Sequence, residues 1–356
     1  MSEDEDLDLS PLVLQEINEQ TSKPNDISSF LTTVTSKGNE QKVIFLTSIF
    51  LAFYFICLVL YSAFTKNSPY VSTAFTQLMH SILLAITLVA DYYSTLYPDE
   101  RHTYGYSRAT IVASFAVSFS IILLAFSLLL EALKNFLQNT TSTPTDIRVI
   151  SSIIPHIVVF ISYVIPAFLL RNESKNPSLS HTPHFHAAFL VFLSGSMHSL
   201  AHFCSGYTPF LKFTGEVSEQ ISPLFHGLVA LFIIDRAKRL LYPSFLVLMQ
   251  ATPSTLLEVI DSRLGETVID RMIREASHFE GVLECKSAHF WGITFTEYVG
   301  SLHIRVKNDA NEQHVIAQAH SKFDPIVHHF TAQVEKDHWD YLDRASSPEF
   351  DDELDF

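Results

Sequence analysis

Six long apolar runs constrain this chain more than any other feature of it. The runs are Val43 to Phe64, Val71 to Tyr97, Thr110 to Leu130, Val149 to Leu170, Ala187 to Phe203, and Ile221 to Ile234. A helix needs about 20 mostly apolar residues to cross a bilayer. Inside lipid the backbone must satisfy its own hydrogen bonds, so each run is expected to be a helix. The fourth run contains Pro155 and Pro166, and polar residues interrupt the fifth and sixth. The chain is 47% hydrophobic and only 17% charged, with mean hydropathy +0.21. These features predict a membrane α-helical protein with a six-helix transmembrane bundle over residues 43–249, embedded in a lipid bilayer.

Basic residues set the expected orientation. One side collects Lys23, Lys37, Lys42, Arg101, Arg108, Arg171, Lys175, Arg236, Lys238 and Arg239. The other collects Lys66, Lys134, Arg148 and Lys212. The excess places both termini in the cytosol. The sequon at Asn139 then faces the lumen and that at Asn172 the cytosol. A net charge of −15 excludes nucleic acid as a partner, because phosphates require a basic surface. Residues 1–42 read as an acidic, polar N-terminal tail with no cleavable signal peptide, and 341–356 as an acidic disordered tail. Cys57, Cys204 and Cys285 form no C-x-x-C pair, which excludes a thiolate zinc ribbon and a disulfide framework.

After Gln250 the pattern becomes that of a soluble domain. Val268 to Ala276 has helical spacing, and Asn311 to Phe323 reads as a second helix. GVLECKSAHFW, EYVGSLHIRV and PIVHHFTAQVE read as strands. Helix-strand-strand-helix-strand over residues 250–340 predicts a small α+β domain of ferredoxin-like type.

Candidate chemistry lies with the 17 histidines. The second apolar run holds His80 and, near its end, Asp91; His80 is the only ionisable group for many residues on either side, and such a group at membrane depth is a functional candidate. SHTPHFH, with His181, His184 and His186, reads as a metal-collecting tract or a solvated loop. His198 and His202 are four apart, hence on one helix face. That spacing also occurs in membrane di-iron enzymes, and with Asp91 the pair suggests a relocated metal site. On the three strands, His289, His303 and His328 or His329, with Glu335, offer imidazole and carboxylate donors suited to zinc. No Walker A, dinucleotide-binding or kinase motif is present, and ten glycines leave no phosphate-cradling loop.

RHTYGYSRAT, LLYPSFLVLMQATP, SAHFWGI and GSLHIRV resemble signature segments of the cation diffusion facilitators. These are six-helix zinc transporters with a cytosolic metallochaperone-like domain. The resemblance runs from about Val43 to Glu335. It implies that the second and fifth helices carry the intramembrane zinc ligands, a His and an Asp four residues apart on each. The matching positions here are His80 and Leu84, then Val191 and Gly195. Only His80 remains, and the other three have lost their ligands. Stripping a dication of water costs on the order of tens of kcal/mol, which one imidazole cannot offset. FEGVLECKSAHFWGITFTEYVGSLHIRVKNDANEQ is most similar to members that form the non-transporting half of a heterodimer. The resemblance therefore implies an auxiliary subunit without catalytic residues or a required cofactor. Its partner would be zinc transporter 5-like, in a zinc:proton antiporter of the Golgi and early secretory pathway. The alternative is a self-sufficient transporter with a relocated site. The resemblance also implies cytosolic zinc at His289, His303, His328 and Glu335, or a domain serving only dimer contacts.

Overall fold

The computed structural model describes residues 27–65, 69–138, 146–171, 183–207, 215–261, 263 and 265–337. The chain divides into two compact units, Met1–Tyr242 and Pro243–Phe356.

The first unit is helical. In chain order it contains α1 (Ile27–Lys37), α2 (Asn39–Thr65), α3 (Pro69–Ser94), α4 (Arg108–Gln138), α5 (Asp146–Arg171), α6 (Pro183–Tyr207) and all but the last residues, from Pro243 on, of α7 (Gly215–Leu248). Helices α2 to α7 fall on the six apolar runs. Among the described residues, four stretches are long and apolar enough to span a membrane: Asn39–Phe64, Val71–Ser94, Arg108–Leu137 and Pro183–Cys204. The apolar part of α5 is shorter, His156–Arg171. Helix α7 carries Asp235, Arg236, Lys238 and Arg239 in its second half, which shortens its apolar run. Both prolines of α5 lie within one continuous helix.

Helix α3 is central. It packs on α2, α4 and α6, while α5 packs on α6 and α2. Leu51, Leu83, Leu84, Ile121, Leu128, Tyr163 and Phe192 are fully buried between them. Large side chains such as Phe53, Phe64, Phe168 and Leu169 point outward. An apolar exterior around a polar-spotted interior suits lipid as the surrounding solvent.

Two segments differ from expectation. Residues 27–37 lie within the expected polar tail but form helix α1, because Val34 is buried and Phe30 meets Tyr92 edge to face. Helix α6 starts at Pro183, earlier than the Ala187 expected. Proline is favoured at a first helical position. This early start puts His184 and His186 on the helix and leaves His184 buried. His181, Asn139, Asn172 and the acidic ends lie outside the described residues. The RHTYGYSRAT turn closes on Asp99, whose carboxylate accepts the Arg101 and His102 amides and the Tyr106 hydroxyl (2.7 Å). The Tyr106 hydroxyl above all holds the Asp99 carboxyl down at about 2.

The second unit contains β1 (Val259–Asp261), β2 (Glu266–Thr267), α8 (Val268–Ala276), β3 (Val282–Gly292), β4 (Tyr298–Val306), α9 (Glu312–Phe323) and β5 (His329–Lys336). The larger sheet has strand order β3-β4-β5. Strands β3 and β4 pair antiparallel, and β4 and β5 pair parallel across the α9 crossover. Helix α8 starts with a reciprocal capping box between Thr267 and Asp270. One sheet face, with Phe290, Leu302, Ile304 and Phe330, packs on Ile269, Met272, Val315 and Phe323 of the helices. The opposite face is polar and carries the candidate metal ligands. Phe323 is fully buried and stacks on Phe330 at 4.6 Å and on Phe290 at 5.8 Å.

Phe323→Ala is therefore expected to cost the second unit about 3–5 kcal/mol. Loss of the cap in Thr267→Ala should cost only about 1 kcal/mol. Unfolding of the two variants against the parent, followed by far-ultraviolet circular dichroism in denaturant, checks this ranking.

Candidate metal centre

His80 is on α3, eleven residues after the helix begins, and is 1% exposed. Its companion positions are also closed. Leu84 lies one turn further along α3, and Val191 lies on α6; both are fully buried. The decisive neighbour is Tyr163, a fully buried residue of α5. Its hydroxyl donates to Gln77 Oε1 at 2.5 Å, and His80 Nδ1 lies 2.7 Å from that hydroxyl oxygen of Tyr163. A hydroxyl has one proton. With that proton on Gln77, His80 Nδ1 must donate, which leaves Nε2 as the bare nitrogen. His80 Nε2 has no hydrogen-bond partner. With Thr76, Ser194 and His198, His80 lines a cavity of about 10 Å³, room for about one water.

The Tyr163 ring also occupies the remaining ligand position. A Cβ added at Gly195 would lie 2.5 Å from both Cε1 and Cε2 of Tyr163. Even the first atom of an aspartate there collides with the ring. Glycine at 195 is thus the condition for the tyrosine to enter. The pocket that four ligands would need is filled by an aromatic ring hydrogen-bonded to the one ligand left.

Asp91 does not join His198 and His202, contrary to the relocated-site expectation. It is held by Lys37 of α1 at 2.9 Å. His184 Nε2 is 3.3 Å from the same oxygen, though not aligned as a hydrogen bond. This cluster sits where α3 ends and α6 begins. His198 and His202 lie toward the other end of α6, with their Nε2 atoms 3.1 Å apart. His156 of α5 and His226 of α7 join them, with ring centroids 4.9 and 5.0 Å from that of His202. Spacing along the chain reveals neither partner, because each lies on a different helix.

In the second unit, His303 Nε2 and Glu335 Oε2 are 3.2 Å apart. The register pairs His303 with Gln333 and Arg305 with Glu335, so the two are diagonal neighbours on the polar face. His289 pairs with Ser301 and is exposed on that same face. His328 precedes β5 and accepts a long bond, 3.4 Å, from the Tyr298 amide. Its neighbour His329 pairs instead with Glu297 at 3.2 Å. Two of the four predicted ligands thus touch, a third shares their face, and the fourth lies outside the strand. Among the described residues no three such donors converge as a chelating group.

The chain's residues 44–249 match the model of the cation efflux transmembrane domain. The chain belongs to the cation efflux family. Its helical unit is thus a multi-pass membrane domain of a family of transporters rather than enzymes, which does not favour the di-iron reading of His198 and His202. Over 290 residues the chain is 27% identical to zinc transporter 6 of Homo sapiens and 26% identical to zinc transporter 6-A of Xenopus laevis. Each alignment covers 75% of this chain and 60% of the relative. Zinc transporter 6 of Danio rerio is 39% identical over 93 residues, 26% of this chain and 17% of that one. The chain thus spans about 60% of the length of the curated relatives it matches over most of its own.

Within this family member, Gly195 and Tyr163 form a testable couple. Gly195→Ala should destabilise the helical unit by about 1–3 kcal/mol through overpacking. Tyr163→Ala in the same chain should remove most of that penalty. Detergent-resistant thermal unfolding of the two single variants and the double variant measures the coupling.

Proposed function

We propose that this chain is a non-transporting auxiliary subunit of a heterodimeric zinc:proton antiporter. Its partner is a zinc transporter 5-like subunit that carries the full ligand set. The pair moves cytosolic zinc into the lumen of the Golgi and early secretory pathway. The observation that carries this reading is Tyr163. Its ring stands where a ligand at position 195 would stand, and its hydroxyl binds His80. Similarity to zinc transporters 6 and 6-A supports zinc as the metal.

The arrangement we infer has six membrane spans, α2 to α7, and both termini in the cytosol. The excess of Lys and Arg on the side of Arg101, Arg171 and Arg236 supports that orientation. The second unit then acts as a ferredoxin-like cytosolic domain. The alternation of its two helices and three-stranded sheet supports this. On its polar face His303 and Glu335, with His289 beside them and His328 brought in from the loop, would take cytosolic zinc. A bound ion there would let the subunit report zinc supply to its partner.

Liposomes containing this chain alone are expected to accumulate no zinc above empty vesicles. Liposomes made with the partner as well should accumulate zinc when the lumen is acidic. Restoring the ligands with Leu84→Asp, Val191→His and Gly195→Asp should not create uptake while Tyr163 is present. Adding Tyr163→Ala to those three should. Zinc uptake by the unaltered chain alone would remove the auxiliary reading.

A further inference from the structure

Four histidines outside the family's ligand positions meet in the helical unit: His156 on α5, His198 and His202 on α6, and His226 on α7, with His198 one turn past Gly195 and lining the small His80 cavity. Nothing in the auxiliary reading uses them. Imidazoles that meet inside a membrane bundle are costly to retain unless they do something. The cluster lies toward the α4–α5 and α6–α7 connections. His202 is about 8 Å from the end of α6 at Tyr207, and His156 about 15 Å along α5 from Asp146.

The geometry points to a binding site for a first-row divalent cation of the zinc type. Three observations carry it. First, His198 and His202 present Nε2 atoms 3.1 Å apart. Two nitrogens bound to one tetrahedral zinc at 2.0–2.1 Å lie about 3.3 Å apart, so this pair already has nearly the right bite. One shared proton holds the two rings together, and a metal would take its place. Second, His226 Nδ1 donates to the Ser222 carbonyl at 2.9 Å. That bond fixes the tautomer with Nε2 unprotonated, the same carbonyl support that metal-bound histidines usually have. Third, His156 stacks on His202 with 14° between the rings, and His226 stands edge-on to His202 at 71°. Both are therefore within a ring rotation of the pair.

In the arrangement observed, the donors of a third ring do not yet converge. Filling the site requires His156 or His226 to turn about its side-chain torsions, while the His198–His202 bite needs little change. Neutral imidazoles suffice for such an ion, as three of them hold the zinc of carbonic anhydrase. The donor set favours zinc, copper, nickel or cobalt over calcium or magnesium, which prefer oxygen. This inference concerns binding alone. It stands whether or not the chain transports, and so fails or succeeds separately from the auxiliary reading.

The test uses the full chain in lipid nanodiscs, carrying His303→Ala to remove the sheet pair. Titration with Co²⁺, followed by visible absorption, should give the intense band of four-coordinate cobalt, saturating at one equivalent and abolished by Zn²⁺. His202→Gln should weaken binding by about tenfold or more, as should the double variant His156→Gln/His226→Gln. Absorption fine structure on the His303→Ala chain loaded with one equivalent of Zn²⁺ should show at least three imidazoles around the metal. Two or fewer imidazoles, no cobalt band, or a band that survives both sets of substitutions would overturn the assignment. So would a band lost on changing His80→Gln but retained in His202→Gln.

Discussion

The hydroxyl of Tyr163 is the contact on which the reading of the helical unit depends. It links three helices at one point, since its ring comes from α5, its bonds go to His80 and Gln77 of α3, and its ring faces Gly195 of α6. A buried polar group without a partner costs about 1–3 kcal/mol. The tyrosine fills the space between α3 and α6 with carbon, and its hydroxyl meets His80 Nδ1 and Gln77 Oε1. Packing at this point thus needs two complementary features, glycine at 195 and an aromatic hydroxyl at 163.

The other polar groups of the bundle are sorted by the same cost. Asp91 keeps a charge near one end of α3, where α1 folds back to supply Lys37 at 2.9 Å. An unpaired carboxylate there would have to give up its charge or reach water. Toward the opposite end, His156, His198, His202 and His226 meet as rings, and His226 is also held by the Ser222 carbonyl. The centre, between these two groups, is closed by Tyr163. An ion entering from one end would find Asp91 already neutralised and the middle occupied. This division explains why Asp91 and His198 do not combine into one transport site despite lying on adjacent packed helices.

How much of this was legible in the sequence depended on the range of the forces involved. Apolar runs fix helices because lipid leaves the backbone no other solution, so α2 to α7 appear where hydropathy puts them. Period-two alternation fixes β3, β4 and β5 to within a few residues, because each strand has one face on a core that includes Phe290, Leu302 and Phe330. Helix α1 was missed because its sequence is mostly polar, and its order comes from Phe30, Val34 and Lys37 docking on α3. The chelating face of the sheet was half legible. His303 and Glu335 follow from strand register, whereas His328 belongs to the turn that register does not govern. Tyr163 and His156 were invisible in principle. An aromatic or a lone His in an apolar helix gives no local sign of which neighbour it will meet.

What separates the family's ligand positions from the four-histidine cluster is the number and sign of the donors. A transport site must remove a dication's water and still release the ion, and in this family carboxylates share that work with imidazole. A site of neutral imidazoles near one end of the bundle lies nearer to water and carries no countercharge of its own. It can hold an ion without the ion having crossed the closed centre at Tyr163. The packing of Tyr163 against His80 and Gly195 therefore leaves His202, His156 and His226 free to serve as ligands further along the bundle. Under the auxiliary reading proposed above, a chain that carries no zinc through its middle can still bind it at that end.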